Sequence, residues 1–371
     1  MRIGIDGREL LQKPTGVGRY LFELCDAWCH SDRARHHEFI FYTPGNKPLS
    51  LLGTKLNFTE KKKIRHKSVP GTGGTWWEQT ALRAAVIRDN VDVFFAPAYS
   101  APLRLAIPTV VTIHDVSFLA HPEWFNWKEG LRRRWLTDRS INQAEVVISV
   151  SKFTRAEILR LYNISPQRVH VVLSGITSLS PILADNDVTP RILFVGSIFN
   201  RRHLPVLIRA FAKVRRSFPD AELTIVGDNR THPKQDLTSA ILVEKLETSV
   251  SLQSYVSEAQ LAQLYQQATV FVFLSEYEGF GLTPFEAMSA GVPVVVADTP
   301  VARELYEDAA LFVPIANVNA TVDAIQTLFT DATVRKRQRH LASTLLKNFS
   351  WTRAANKTLQ VLELAAARKS T

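Results

Sequence analysis

The sequence predicts an α/β protein made of two doubly wound parallel-sheet domains facing a central cleft, and three observations carry that prediction. Short β-branched runs alternate with amphipathic stretches from end to end, the pattern of parallel strands covered by helices on both faces. The alternation pauses once, over residues 177 to 190, a polar stretch with two prolines and no helical or strand period. The chain has 371 residues, about twice a usual domain of roughly 100 to 200. Apolar residues at 46% and charged ones at 22% supply two cores and exclude disordered and fibrous classes. The expected division is 1–180, 188–350 and a closing helical segment at 351–371.

The strands of the first series are expected at Ile3 to Asp6, Phe39 to Thr43, Val91 to Phe95, Thr109 to Ile113, Glu145 to Val150 and Val169 to Leu173. A second series follows the pause, at Arg191 to Val195, Glu222 to Val226, Val270 to Leu274, Val292 to Ala297 and Leu311 to Pro314. Between its first two strands, Leu204, Leu207, Phe211, Val214 and Phe218 fall at helical spacing, with Arg209, Lys213 and Arg216 on another face, which predicts a surface helix packed on a sheet. The last helix, Thr352 to Arg368, follows the cap-like Asn348-Phe-Ser-Trp. Open α/β sheets bind ligands outside the carboxyl ends of their strands, so the search for chemistry narrows to residues just after strands.

Cys25 and Cys29 lie four apart in one expected helix, where they fill a face and form no disulfide framework, as suits a reducing compartment. The start, MRIGIDGREL, has no apolar run of signal-peptide length, and nowhere do about 18 uncharged apolar residues run together. The expectation is a cytoplasmic protein able to lie on the inner face of a membrane. The net charge of +10 is concentrated in the first half: residues 1–187 hold 25 Lys and Arg against 18 Asp and Glu, residues 188–371 hold 20 against 17.

The strongest local signal is SEYEGFGLTPFEAMSAGVPVV, residues 275 to 295. It leaves a strand, crosses Gly279-Phe-Gly281 and enters a helix expected to start with Thr283 as N-cap, Pro284 at N1 and Glu286 at N3, ending at Gly291 and Pro293. A glycine turn opening a helix offers backbone N–H groups with the positive end of the dipole behind them, a site suited to phosphate. A carboxylate beside such a site repels the anion, so Glu278 and Glu286 suit hydroxyls of a sugar or ribose.

The Glu-x7-Glu element with Gly-Phe-Gly inside it closely resembles the signature of family 4 glycosyltransferases, retaining enzymes of the GT-B fold that use nucleotide-sugar donors. Further stretches fall in that family's order: Thr15-Gly-Val-Gly-Arg-Tyr20, Trp76-Trp77-Glu78-Gln79, Thr112-Ile113-His114-Asp115, and Phe194-Val-Gly-Ser197 followed by Arg201-Arg202-His203-Leu204. The second and third of these resemble the bacterial mannosyl- and rhamnosyltransferase-like branch. The resemblance implies that Glu278 binds donor-sugar hydroxyls, Glu286 holds the ribose, and the backbone of Gly279, Phe280, Gly281, Leu282 and Thr283 cradles the diphosphate together with Ser197, Arg201 and Arg202. It also implies an acceptor-binding first domain, a donor-binding second domain and a final helix crossing back to the first. Arg202 stands where the family commonly has Lys, which keeps the cation but replaces a point charge with a planar fork. No metal is expected, because fixed arginines and helix N–H groups can stabilise the departing diphosphate.

Gly16 and Gly18 sit between the first strand and the first helix, but Leu21 replaces the third glycine of a dinucleotide fingerprint, and no acid is placed for a ribose near Thr43. An NAD enzyme is therefore disfavoured, and the loop reads as close backbone approach to phosphate or acceptor. His114 falls at the tip of the strand Thr109 to Ile113, where the resemblance places a histidine beside the donor sugar. Asp185-Asn-Asp187 spells an Asp-x-Asp but lies in the linker, so no metal site is implied.

The basic excess concentrates at residues 54–67, with six Lys or Arg and one Glu, and at 128–135, near Trp124, Phe125, Trp127 and Trp135. Cations interleaved with aromatics suit an anionic membrane surface. No nucleic-acid module is visible. The expected activity is transfer of a hexose, mannose-like by the resemblance, from a nucleotide diphosphate sugar to a glycan or polyprenyl-diphosphate-linked acceptor in polysaccharide synthesis. The alternatives are a sugar-nucleotide epimerase or a non-catalytic nucleotide-sugar-binding partner.

Overall fold

The computed structural model describes residues 1–11, 16–45, 64–177, 179 and 190–368. Most of the expected linker, Asp185–Asp187, Thr15 and the basic run up to residue 63 lie outside them. The chain divides into two compact units: Met1–Ala120, Lys128–Gly175 and Phe349–Thr371 form the first, His121–Trp127 and Ile176–Asn348 the second. The segment His121–Trp127 thus groups with the later residues. Within that unit the His121 ring stacks on Trp124 at 4.0 Å and meets Tyr277 edge-on at 5.3 Å.

The first unit carries a parallel sheet of β1 (Arg2–Asp6), β2 (Glu38–Pro44), β3 (Ile64–Val69), β4 (Val93–Ala96), β5 (Thr109–Ile113), β6 (Val146–Ser149) and β7 (Val169–Val171). Their spatial order is β3-β2-β1-β4-β5-β6-β7. The second carries β8 (Arg191–Val195), β9 (Glu222–Val226), β10 (Val250–Gln253), β11 (Val270–Phe273), β12 (Val294–Ala297) and β13 (Leu311–Val313), in the order β10-β9-β8-β11-β12-β13. In each sheet the chain winds outward on one side and then returns beside its first strand. The winding reverses between β1 and β4, and between β8 and β11. Loops diverge at such switch points and leave a crevice at the strands' carboxyl ends.

β4, β5, β6, β11 and β12 are buried at every residue, as strands covered on both faces must be. β3 and β10 were not expected from the sequence. Both are edge strands with several exposed residues, so they lack the continuous apolar run that marks a central strand. Within the described end of the basic run, Arg65 pairs with Glu38 at 3.2 Å, and Lys67 bonds Asp89.

The last helix, Trp351–Ala367, is capped by Ser350, whose hydroxyl accepts from the Arg353 amide. It buries Ala354, Ala355, Leu359 and Leu362 in the core of the first unit, where Trp28 Nε1 donates to the Ala355 carbonyl at 3.0 Å. Trp28 stacks in turn on Phe39. Cys25 fills the buried face of the helix Val17–Cys29, and neither Cys25 nor Cys29 is in a disulfide. Among the described residues no helix is long and apolar enough to cross a membrane.

Candidate active site

The switch point of the second unit gathers the expected donor residues. After β8 the chain passes Gly196, Ser197 and a short turn, Asn200–Arg202, before the helix Leu204–Ser217. After β11 it runs through Ser275 to Gly281 and enters the helix Leu282–Ser289. The Glu276 amide donates to the Arg201 carbonyl at 2.9 Å, tying the two loops together. Arg202 donates from Nε to Glu278 Oε1 at 3.0 Å and from Nη1 to the Ser197 carbonyl at 2.7 Å. Its Nη2 lies 2.9 Å from the same carboxylate oxygen. Arg201 Nε stands 3.8 Å from Glu278, and Ser275 Oγ donates to Glu278 Oε1 at 2.9 Å.

Two guanidiniums therefore share one carboxylate, and all three side chains are nearly buried. Burial pulls the Arg202 guanidinium below its usual value, against the upward push of Glu278. The cations are further held over aromatic rings: Arg201 lies 4.4 Å from the Phe199 centroid and Arg202 lies 4.9 Å from that of Phe273. Arg201 Nε has no hydrogen-bond partner among the described residues. A buried site with one uncompensated positive charge and an unused donor is suited to an anion.

The helix after Gly281 begins earlier than expected. Its N-cap is Gly281 with φ +74°, and no side chain caps it, so Thr283 is not the cap and Glu286 closes no capping box. The physical reason is close packing. A Cβ at Gly281 would collide with the Tyr306 hydroxyl, which donates to the Gly281 carbonyl at 3.0 Å. Glycine's left-handed conformation turns the chain directly into the helix. The N–H groups of Leu282 and Thr283 then have no partner within the helix. Pro284 carries none.

Glu286 is buried, and Tyr265 Oη donates to its Oε2 at 2.8 Å. Gly279 and Phe280 complete the loop, with Phe280 packed on Phe285 at 5.4 Å. The glycines behind Arg202 are also constrained. Side chains at Gly196, φ +138°, and Gly227, φ +155°, would strike Arg202 Nη1 and the Gly196 carbonyl respectively. His203, where φ is +48°, places Nε2 3.1 Å from Glu276 Oε2.

In the first unit the two loop glycines differ in role. A Cβ at Gly18 would stand 2.7 Å from the Glu9 carbonyl, so Gly18 is needed for packing, whereas Gly16, φ +54°, faces open space. His114 lies at the tip of β5, edge-on to Tyr20 at 4.9 Å. Its Nε2 is 2.7 Å from the Pro97 carbonyl. A carbonyl only accepts, so Nε2 carries the proton and Nδ1 the lone pair. Burial lowers the His114 pKa, against the Pro97 bond and Asp115, and keeps the ring neutral. Asp115 in turn accepts from Tyr99 Oη at 3.1 Å, and Tyr99 sits at φ +57°.

The sequence left one network at the first unit's own switch point unassembled. Arg8, just past β1, pairs with Asp6 at 2.6 Å and Glu78 at 2.7 Å. Ser100, past β4, donates to Glu78 at 2.8 Å. Glu9 stands nearby, its pKa raised by burial and then by Asp6. The available signals were Asp6 ending the first strand and the Trp-Trp-Glu-Gln motif, but nothing in the spacing joined them.

Comparison with known proteins accords with this geometry. Residues 14–178 match the model of Glycosyltransferase Family 4 and residues 177–343 that of Glycosyl transferases group 1. The chain is 27% identical over 298 residues to O-antigen chain mannosyltransferase B of Escherichia coli, covering 76% of this chain and 77% of that one. It is 28% identical over 233 residues to the O-antigen chain mannosyltransferase RfbU of Salmonella typhimurium, covering 63% and 64%. Among solved structures, sucrose-phosphate synthase from Thermosynechococcus elongatus aligns with a TM-score of 0.76 at 18% identity, over 99% of this chain and 100% of that one. Anabaena HepE in complex with UDP and glucose aligns at 0.73 and 18%, over 98% and 99%. With both sheets in the order described, these matches establish that the chain belongs to the family 4 glycosyltransferases and is a glycosyltransferase of the GT-B fold.

Proposed function

We propose that this glycosyltransferase moves a hexose, mannose-like by its kinship with the O-antigen enzymes, from a nucleotide diphosphate sugar to a glycan or polyprenyl-diphosphate-linked acceptor, retaining the anomeric configuration. The reading rests on the pair of buried arginines sharing Glu278 at the switch point of the second unit. HepE, a neighbour in fold, was solved with UDP and with UDP-glucose, which supports a nucleotide-sugar donor.

The second unit binds the donor. Arg201, Arg202 and the amides of Leu282 and Thr283 face the diphosphate, Ser197 and the loop from Gly279 border it, and Glu286 accepts from the ribose hydroxyls. Glu278, its Oε1 fixed by Arg202 and Ser275, accepts from the donor sugar through Oε2. Negative charge grows on the departing diphosphate, and donors already in place stabilise it without reorganising, so no metal is required. Retention follows from same-face attack assisted by the leaving phosphate. The first unit binds the acceptor: Glu9 accepts from acceptor hydroxyls, buried Glu78 fixes Arg8 beside it, and Gly16 leaves the backbone approachable. His114 acts through Nδ1 as a hydrogen-bond acceptor for a sugar hydroxyl. The work is done at the cytoplasmic face of a membrane.

The test is incubation with GDP-, UDP-, dTDP- and ADP-sugars, with and without a polyprenyl-diphosphate-linked glycan. Glycosylated acceptor and free nucleoside diphosphate are expected with one donor. An altered nucleotide sugar formed without acceptor would assign epimerisation instead.

A further inference from the structure

The helix Trp127–Gln143, in the first unit from Lys128 onward, is built the wrong way round for a helix that only covers a sheet. Its buried face is mostly small or polar, with Gly130, Leu136, Thr137, Ser140 and Ile141. Two of its large apolar side chains instead point to solvent: Leu131 is 56% exposed and Trp135 52% exposed. Trp76, 82% exposed, follows Thr75, whose hydroxyl accepts from Arg132 on this helix at 2.7 Å, a bond that joins the two segments. Single exposed apolar residues are ordinary, but two tryptophans and a leucine brought together are not.

The surroundings of these side chains are cationic. The helix carries Lys128, Arg132, Arg133, Arg134 and Arg139 against two acids, Glu129 and Asp138, and Glu129 is taken up by Arg133 at 2.7 Å. Arg139 lies 6.0 Å from the Trp135 ring centroid. Tryptophan favours the depth where acyl chains meet headgroups, and cations beside it favour anionic headgroups. A protein partner matched to this face would need its own acidic rim around an apolar pocket. A bilayer of mixed charge supplies both features at once.

We propose that Trp76, Leu131 and Trp135, ringed by Arg132, Arg134 and Arg139, form a docking face for an anionic phospholipid bilayer. The tryptophans and Leu131 enter the headgroup boundary and the arginines meet phosphates. This extends the membrane setting of the transfer reading to a defined surface. The face also adjoins the acceptor network, since Trp77 and Glu78 follow Trp76 directly, Trp77 is buried, and Arg8 lies 5.6 Å from its ring centroid. A lipid-linked acceptor anchored in that bilayer would arrive next to Arg8 and Glu78.

Flotation of the full chain with phosphatidylcholine vesicles and with vesicles containing about one third phosphatidylglycerol tests the proposal. Wild type should float with the anionic vesicles and not with the neutral ones. Trp76→Ser/Leu131→Ser/Trp135→Ser and Arg132→Glu/Arg139→Glu should each lower binding by about tenfold or more. Both change exposed side chains, so unfolding midpoints and nucleoside diphosphate binding should stay at wild-type values. Glu278→Ala should float as wild type does, which separates this proposal from the donor-site reading. The proposal is overturned if wild type ignores anionic vesicles, if it floats equally with neutral ones, or if the triple variant floats like wild type. A wild-type dimer lost in the triple variant, without vesicle binding, would overturn it and assign the face to a second copy of the chain.

Discussion

Arg202 holds Glu278 through two nitrogens, Nε at 3.0 Å and Nη2 at 2.9 Å, both on the same carboxylate oxygen. The other oxygen, Oε2, has no partner among the described residues. The pair is therefore complete on one side and unused on the other, as a carboxylate serving a substrate hydroxyl would be. It also ties the loop after β8 to the loop after β11, so loss of either residue should be felt in both stability and chemistry.

Arg202→Met leaves Glu278 buried with a more distant arginine and a serine. Breaking such a pair costs about 3–5 kcal/mol, and denaturant unfolding should show a loss of that order. Arg202→Lys keeps the charge and should lose less. Glu278→Ala should abolish transfer while nucleotide binding stays measurable by calorimetry; full activity in that variant would remove Glu278 from the site.

Gly281→Ala places a methyl group against the Tyr306 hydroxyl at a residue with φ +74°. The left-handed backbone alone costs about 1–3 kcal/mol without glycine. Tyr306→Phe removes the colliding oxygen, so the double variant should be less destabilised than the sum of the two. Strict additivity would mean that the clash is relieved elsewhere.

Tyr265→Phe withdraws the hydroxyl that donates to buried Glu286 at 2.8 Å. An under-satisfied buried carboxylate costs about 1–3 kcal/mol. Unfolding should register this, and the KM for donor should rise more than kcat falls.

His114 gives a pH dependence. Burial lowers its pKa from the ordinary 6.5, so as the pH falls below that value the unfolded chain takes up a proton that the folded chain refuses. Stability contributed by the neutral ring is present above pH 6.5 and is lost as the pH falls through the lowered folded value. His37 is shifted in the same direction, chiefly by burial. His114→Gln should flatten the acid side of the stability profile without abolishing it. An unchanged profile would contradict the neutral, buried assignment.

Much of this was legible in the sequence because the central strands are continuous β-branched runs, as in Val270–Phe273 and Val294–Ala297, and burial on both faces demands that composition. The edge strands β3 and β10 were not, since partial exposure breaks the run. Arg201, Arg202, Glu278 and Glu286 were found through one motif on each loop, but their pairing depends on β8 lying beside β11 across 74 residues of intervening chain. The Gly281 cap was misread because Thr283 and Pro284 imitate a helix start, and only the distant Tyr306 reveals where the turn must be. The Asp6–Arg8–Glu78 network likewise needs β1 and β4 as neighbours before it has any meaning.

The central claim is that the arginine pair holds the donor diphosphate. Calorimetric titration of nucleoside diphosphate and of the matching nucleoside into wild type and Arg202→Met tests it most directly, with chelator present to remove adventitious metal. Diphosphate affinity in the variant should fall by roughly tenfold or more, the discrimination lost with charge-assisted bonds of about 1.5–3 kcal/mol, while nucleoside affinity stays at the wild-type value. An equal loss for both ligands, or wild-type diphosphate binding that vanishes with EDTA, would contradict it.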